Sequence, residues 1–220
     1  MLHTVYELAS GPLVWLAFAV FILGSLYRLL TMGRLAARKD PMVFNYMSVY
    51  YALRSIAYWI IPYASLNMRR HPVMTAVAFV FHICLIAVPI FLSAHIVLIH
   101  EAWEVHWWYI PNQAADIMTL MVVAACIFFL CRRLSLPDVR YLTTPSDYII
   151  LAAVALPFVT GFWAYHQFPG HVAAGILHML SGEAVLMMIP FTRLSHMLFF
   201  PFIRGYAGSE FGAVRHAKDW

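Results

Sequence analysis

Charge is what this sequence has least of: Asp, Glu, Lys and Arg together make up 11% of its 220 residues, whereas 63% are apolar and the mean hydropathy is +0.77. A water-soluble domain needs more charge than that to cover its surface, so the composition excludes one and implies an integral membrane protein. Cysteine is scarce as well. The three thiols, Cys84, Cys126 and Cys131, lie within apolar runs or at their ends, and neither a CxxCH nor a paired CxxC occurs. Covalent c-type haem attachment and iron–sulfur ligation by this chain are thereby excluded. The N-terminal MLHTVYELASGPLVW lacks the basic stretch that opens a cleaved signal, so the first apolar run is expected to stay as a span. The net charge of +4 is no nucleic-acid signature either, because its meaning lies in where the charges fall.

What the sequence has instead is long apolar runs and interfacial aromatics, with seven Trp and twelve Tyr to furnish two membrane belts. The expected fold class is all-α integral membrane: a five-span transmembrane helical bundle, one domain over 1–220, with spans at about 13–31, 72–99, 114–131, 147–166 and 171–203. Arg28 is placed to snorkel from the first span. Residues 45–66 hold Tyr50, Tyr51, Tyr58, Trp59 and Tyr63 around Arg54 and close on Pro62; they read as an amphipathic helix on the membrane surface, a sixth span being the alternative. Span two is long enough to require tilt or a kink at Pro89, and Ser146 or Asp147 is the expected N-cap of span four. With five spans, all fourteen Lys and Arg fall on one side: Arg28 to Arg70, Arg132 to Arg140 and Arg193 to Lys218. The positive-inside rule then puts the N-terminus outside and the C-terminus in the cytoplasm of a bacterial inner membrane.

Within this greasy frame the histidines stand out. His178 and His196 are eighteen residues apart, which on one continuous helix is five turns, the same face, and about 27 Å of axis. Imidazole in hydrocarbon is costly unless bonded or bound, and two at different depths suit a pair of stacked haems with partner histidines on another helix. Depth matching along span two pairs His82 with His196 and His95 with His178. The thirteen-residue spacing puts His82 and His95 on nearly opposite faces of an ideal helix, so Pro89 or a π-bulge has to rotate the second half. His71, eleven residues before His82, is the geometric rival. Four histidines that merely hydrogen-bond neighbouring helices are the bland alternative.

The segment LHMLSGEAVLMMIPFTRLSHMLFFP, with AFVFHICL and CRRLSLPDVRYLTTPSDYIIL before it, resembles the haem b subunit of respiratory nitrate reductase, the gamma-subunit family. That family includes the membrane cytochromes b of sulfite-reductase-linked and tetrahaem-cytochrome complexes of sulfate reducers. The resemblance covers most of the chain from span two onward. It implies two haem b groups with two ligands on each of the second and last spans, carried over to His82, His95, His178 and His196. The chain departs from the nitrate reductase pattern in the longer ligand spacing of span two, in the 45–66 insert, and in having no lysine in its second outer loop, where that enzyme has one at its quinol site.

Other residues extend the picture. Arg193 can neutralise haem propionates or snorkel to lipid phosphate, and Gly175 and Gly182 flank His178, where a flat macrocycle or a close helix would approach. Glu183 lies well inside the bilayer, as a proton relay or a partner to another helix. His100, Glu101, Glu104, His106 and Asp116, with Trp103, Trp107 and Trp108, furnish bases and an aromatic cleft for quinol chemistry, or an ordinary interfacial belt. The expected function is electron transfer across the membrane, between menaquinol or a periplasmic multihaem cytochrome c and a cytoplasmic iron–sulfur subunit drawn to the basic face. Lipid is the surrounding solvent, and no nucleic-acid partner is expected. A proton- or metal-coupled transporter and a haem-free anchor are the competing classes, the first lacking evident inverted repeats or broken helices.

Overall fold

The computed structural model describes residues 2–220, and among them no β-strand occurs. Twelve α-helices follow in order: α1 (Leu2–Ser10), α2 (Pro12–Lys39), α3 (Val43–Tyr46), α4 (Val49–Ile60), α5 (Leu66–Arg70), α6 (Pro72–Phe91), α7 (Ser93–Trp103), α8 (Asn112–Ser135), α9 (Pro137–Leu142), α10 (Pro145–Tyr165), α11 (His171–Met188) and α12 (His196–Ser209). Five segments are long and apolar enough to cross a membrane: His3–Lys39, Pro72–Phe91, Asn112–Ser135, Pro145–Tyr165 and His171–Phe191. The protein is therefore an all-α, multi-pass membrane protein with five spans. The chain divides into two compact units, one comprising the chain to Ala9 with Val77–Gly182, the other Ser10–Ala76 with Glu183–Trp220.

Several boundaries differ from expectation for identifiable reasons. α2 runs on to Lys39 because residues 32–39 are mostly good helix formers, and its last turn carries Arg38 and Lys39, which suit the negative end of the helix. The 45–66 stretch is not one helix. It holds α4, closed before Pro62, and a separate α5 whose N-cap Ser65 accepts a bond from the Met68 amide. At twelve residues α4 is about 18 Å long, too short to cross a hydrocarbon core of about 30 Å, so no sixth span forms. Span four is capped one turn earlier than expected. Thr144 is the N-cap, Pro145 fills the first position, and Asp147 closes a capping box by accepting from the Thr144 amide at 2.8 Å.

Two long spans are broken, contrary to the expectation of unbroken helices that had counted against a transporter. α6 stops at Phe91, Leu92 is extended (φ −71°, ψ 129°), and α7 starts at Ser93, so the interruption falls three residues beyond Pro89. The last span is not a single helix to 203. α11 ends at Met188, short 3₁₀ turns occupy Ile189–Phe191 and Arg193–Ser195 around an extended Thr192, and α12 begins at His196. Pro190 has no N–H to donate, and Thr192, whose amide (3.1 Å) and hydroxyl (2.8 Å) both bond the Met188 carbonyl, turns extended and ends the ladder. The five-turn register between His178 and His196 therefore does not exist, since a helix face is not transmitted through an extended residue.

In the second unit α12 packs on α4 through a seam of small residues. A Cβ at Gly205 would touch Ala52 at 3.4 Å, one at Gly208 would lie 2.5 Å from the Tyr51 carbonyl, and one at Gly212 would enter the Tyr51 ring. Ser209 Oγ accepts from the Ser48 amide at 3.1 Å. The C-terminal tail closes over α4: Trp220 stacks on Tyr58 (4.1 Å, 11°), Arg54 lies 4.6 Å over Trp220, and Ser55 donates to Asp219. Arg28, placed to snorkel, lies 5.5 Å over the Phe199 ring. Gly208→Ala should force these helices apart at a cost of about 1–3 kcal/mol. Thermal unfolding in detergent should show a lowered midpoint and a Trp220 fluorescence change below it; an unchanged midpoint would mean that the seam is loose.

Candidate functional site

Three of the four singled-out histidines, His82, His95 and His178, lie in the first unit, on α6, α7 and α11. His95 and His178 come together there. Their rings are nearly parallel, 19° apart, with centres 5.9 Å from each other. The Leu92 break makes this possible: it starts a new helix whose register is independent of α6, so His95 need not share or oppose the face of His82.

The Leu92 amide closes the last helical bond of α6, to Val88 (3.0 Å); the break leaves the three carbonyls beyond it without helical donors, and each finds one. Pro89 accepts from His95 Nδ1 (2.9 Å), Ile90 from Trp107 Nε1 (2.9 Å) and Phe91 from the Ile110 amide (3.0 Å). The aromatic loop after α7 is thus a cap for a broken span, and Trp108 stacks on Phe91 at 4.3 Å. His178 is held in the same way, Nδ1 donating to the Pro157 carbonyl of α10 at 2.8 Å.

This pattern recurs. His82 Nδ1 lies 2.7 Å from the Ala78 carbonyl, and His196 Nδ1 lies 2.8 Å from that of Arg193. A carbonyl only accepts, so the ring nitrogen must donate, and in the neutral ring the lone pair then resides on Nε2. That is the tautomer and anchoring that metal-bound histidines have. Two metal–imidazole bonds of about 2 Å, plus the distance from each nitrogen to its ring centre, come to about 6 Å, which the His95–His178 separation matches. Among the described residues no three or more His, Cys, Asp or Glu side chains gather to hold a bare metal ion. A porphyrin supplies four nitrogens itself and asks the protein for two, a number that a facing histidine pair can meet.

His196 opens α12 in the second unit, where it is exposed, as are His82 and Arg193. His71 is the C-cap of α5 and stands outside α6, so the helical register that tied it to His82 does not apply. His100 ends α7 with its ring edge-on to His106 at 5.3 Å. Glu101 is exposed, and Glu104 takes the left-handed C-cap conformation at φ 58°. Glu183 is only 7% exposed, and neither carboxyl oxygen has a hydrogen-bond partner among the described residues. Of the glycines beside His178, a Cβ at Gly182 would meet nothing within 4 Å and one at Gly175 only Ala164 at 3.9 Å. The glycine that matters is Gly161, where a Cβ would lie 2.8 Å from both Nδ1 and Cε1 of His178. It sits four residues after Pro157, one turn along α10; its place in the middle of an apolar span, where glycine costs helix stability, is the signal that could have drawn attention to it.

Fold and site together define a five-span helical membrane protein with paired, carbonyl-anchored histidines. The chain is 33% identical over 214 residues to a protein of Nitratidesulfovibrio vulgaris (strain Hildenborough) described simply as "Protein", the match covering 96% of this chain and 95% of that one. It belongs to the same family as that protein. No protein-family model matches, and no solved structure does.

Proposed function

We propose that this chain is the dihaem b subunit of a respiratory membrane complex of the nitrate reductase gamma-like type. His95 and His178 would hold one haem and His82 and His196 the other. The observation that carries the reading is the His95–His178 pair: near-parallel rings at 5.9 Å, each with Nδ1 fixed by a carbonyl from a proline-containing helix. When bound, haem iron supplies one-electron redox chemistry; the chain contributes ligand identity, burial and the orientation of the imidazoles. Arg193, at the start of the turn whose carbonyl anchors His196, suits a propionate.

Electrons would pass across the bacterial cytoplasmic membrane between menaquinol or a periplasmic multihaem cytochrome c on one side and an iron–sulfur subunit on the other. With five spans and alternating loops, all Lys and Arg would fall on one side, which supports a cytoplasmic C-terminus and a basic docking face for an acidic partner. The test is the visible spectrum of the detergent-purified protein, with and without dithionite. Split b-type bands and about two haems per chain by pyridine haemochrome are expected; a folded, colourless protein would sink the reading.

A further inference from the structure

The last span carries a buried carboxyl that the haem reading does not use. Glu183 is 7% exposed, and neither of its oxygens has a hydrogen-bond partner among the described residues. Ser25, on the first span and in the same unit, is 9% exposed, and its hydroxyl is likewise without a partner among them. We infer that these two side chains mark a proton-binding site inside the membrane: Glu183 holds a proton between spans one and five and exchanges it with water, by way of Ser25, at the arginine-bearing end of α2.

The helices place both groups on one seam. Gly24 abuts the break in the last span, where a Cβ would lie 2.8 Å from the Pro190 ring and 2.8 Å from the Phe191 ring. Glu183 stands seven residues before Pro190, two turns and about 10 Å along the axis, hence on the face of α11 that meets α2. On α2 the buried positions are Ala17, Gly24 and Ser25. Ala17 and Gly24 are also seven residues apart, and with five alternating spans the first and fifth run the same way, so Ala17 comes level with Glu183. A small residue there leaves the space that the carboxyl fills. Ser25 lies one turn inside Arg28, the first of the cations that α2 carries toward its end at Lys39.

The donor set decides the occupant. An ionised carboxylate in hydrocarbon is expensive without donors beside it, and Glu183 has none among the described residues, so the neutral acid is the resident form. A metal ion asks for more than one side chain, and among the described residues no three His, Cys, Asp or Glu gather. A proton asks for a single oxygen. Exchange then needs a group that both donates and accepts, which a serine hydroxyl does. Thr192, the other hydroxyl near the break, is already committed: it donates to the Met188 carbonyl at 2.8 Å and accepts from the Leu194 amide at 3.3 Å. The exchange is balanced. The proton that leaves Glu183 passes to water, one from water replaces it, and no net charge crosses the membrane. No haem is needed for it.

The test uses the full chain in detergent at neutral pH. Its first probe is dicyclohexylcarbodiimide, an apolar reagent that attacks protonated carboxyls. The acid O–H adds across the C=N bond of the reagent and the product rearranges to a stable N-acylurea, so nothing leaves and the mass rises by one reagent molecule. A single adduct is expected, located at Glu183 by peptide mass spectrometry, and Glu183→Gln should take up none. The second readout is the infrared carbonyl band of a protonated carboxyl, which should be present in the parent, lost in Glu183→Gln, and shifted on transfer to D2O. Ser25→Val should keep the adduct and the band but slow the D2O shift at least tenfold, whereas Ser25→Thr, which keeps a hydroxyl, should exchange at the parental rate. A parent labelled at Glu183 only after denaturation would overturn the inference. So would a carbonyl band that never shifts in D2O, or a Ser25→Val variant that exchanges like the parent. Should Glu183→Gln fail to fold, labelling of the parent and the D2O shift in the Ser25 variants decide by themselves.

Discussion

Each of His95→Ala and His178→Ala is expected to lower haem content from two groups per chain to one, and to remove the same group. The two rings face each other at 5.9 Å, and one imidazole does not hold iron porphyrin as two do. Redox titration should show one b-type component lost and the other at its parental potential, because the ligands proposed for the second group include neither residue. His71→Ala should retain both groups, since His71 is the junction residue that caps α5 and gives its carbonyl to the Thr75 amide at the start of α6. Loss of haem from that variant with retention in His95→Ala would exchange the two assignments. Full loss from either member of the pair, with intact helix content by circular dichroism, would mean that the haems bind cooperatively and not as separate pairs.

The second large effect is expected from a residue that touches no iron. Gly161→Ala puts a methyl 2.8 Å from Nδ1 and Cε1 of His178, nearer than carbon atoms tolerate. The imidazole must then turn away from the Pro157 carbonyl that holds it at 2.8 Å. Overpacking of this kind costs about 1–3 kcal/mol, and every 1.4 kcal/mol is tenfold in affinity. Gly161→Ala should therefore weaken retention of the His95–His178 haem by roughly five- to a hundredfold, measured as haem lost to an excess of apomyoglobin. Gly182→Ala is the matched control, because its added methyl meets nothing within 4 Å and retention should be unchanged. Equal behaviour of the two variants would show that His178 is not held where its anchor places it.

Much of the site was legible before any coordinates. His82, His95, His178 and His196 stand out because imidazoles in long apolar runs are expensive, and His95 was paired with His178 on depth alone. The argument that put His178 and His196 on one face failed, because it assumed a continuous helix through Pro190 and Thr192. The kink expected near Pro89 proved to be a full break at Leu92. Its position was hidden because it depends on which distant groups cap the freed carbonyls, and the Trp107 indole and the Ile110 amide do so from a loop fifteen or more residues on. Gly161 was passed over for a related reason: it acquires its role from a partner on another helix, His178.

The sequence by itself determined that the chain lives in a membrane and how many times it can cross. These follow from transfer of apolar and charged groups between water and hydrocarbon, which is nearly additive along a chain. Only the tertiary structure decided how the His95 and His178 rings meet. Direction around a helix axis is carried from residue to residue only while the hydrogen-bond ladder is intact, and both histidine-bearing spans break it. Beyond a break, orientation is set by the carbonyl that each imidazole finds, and that is a property of packed neighbours.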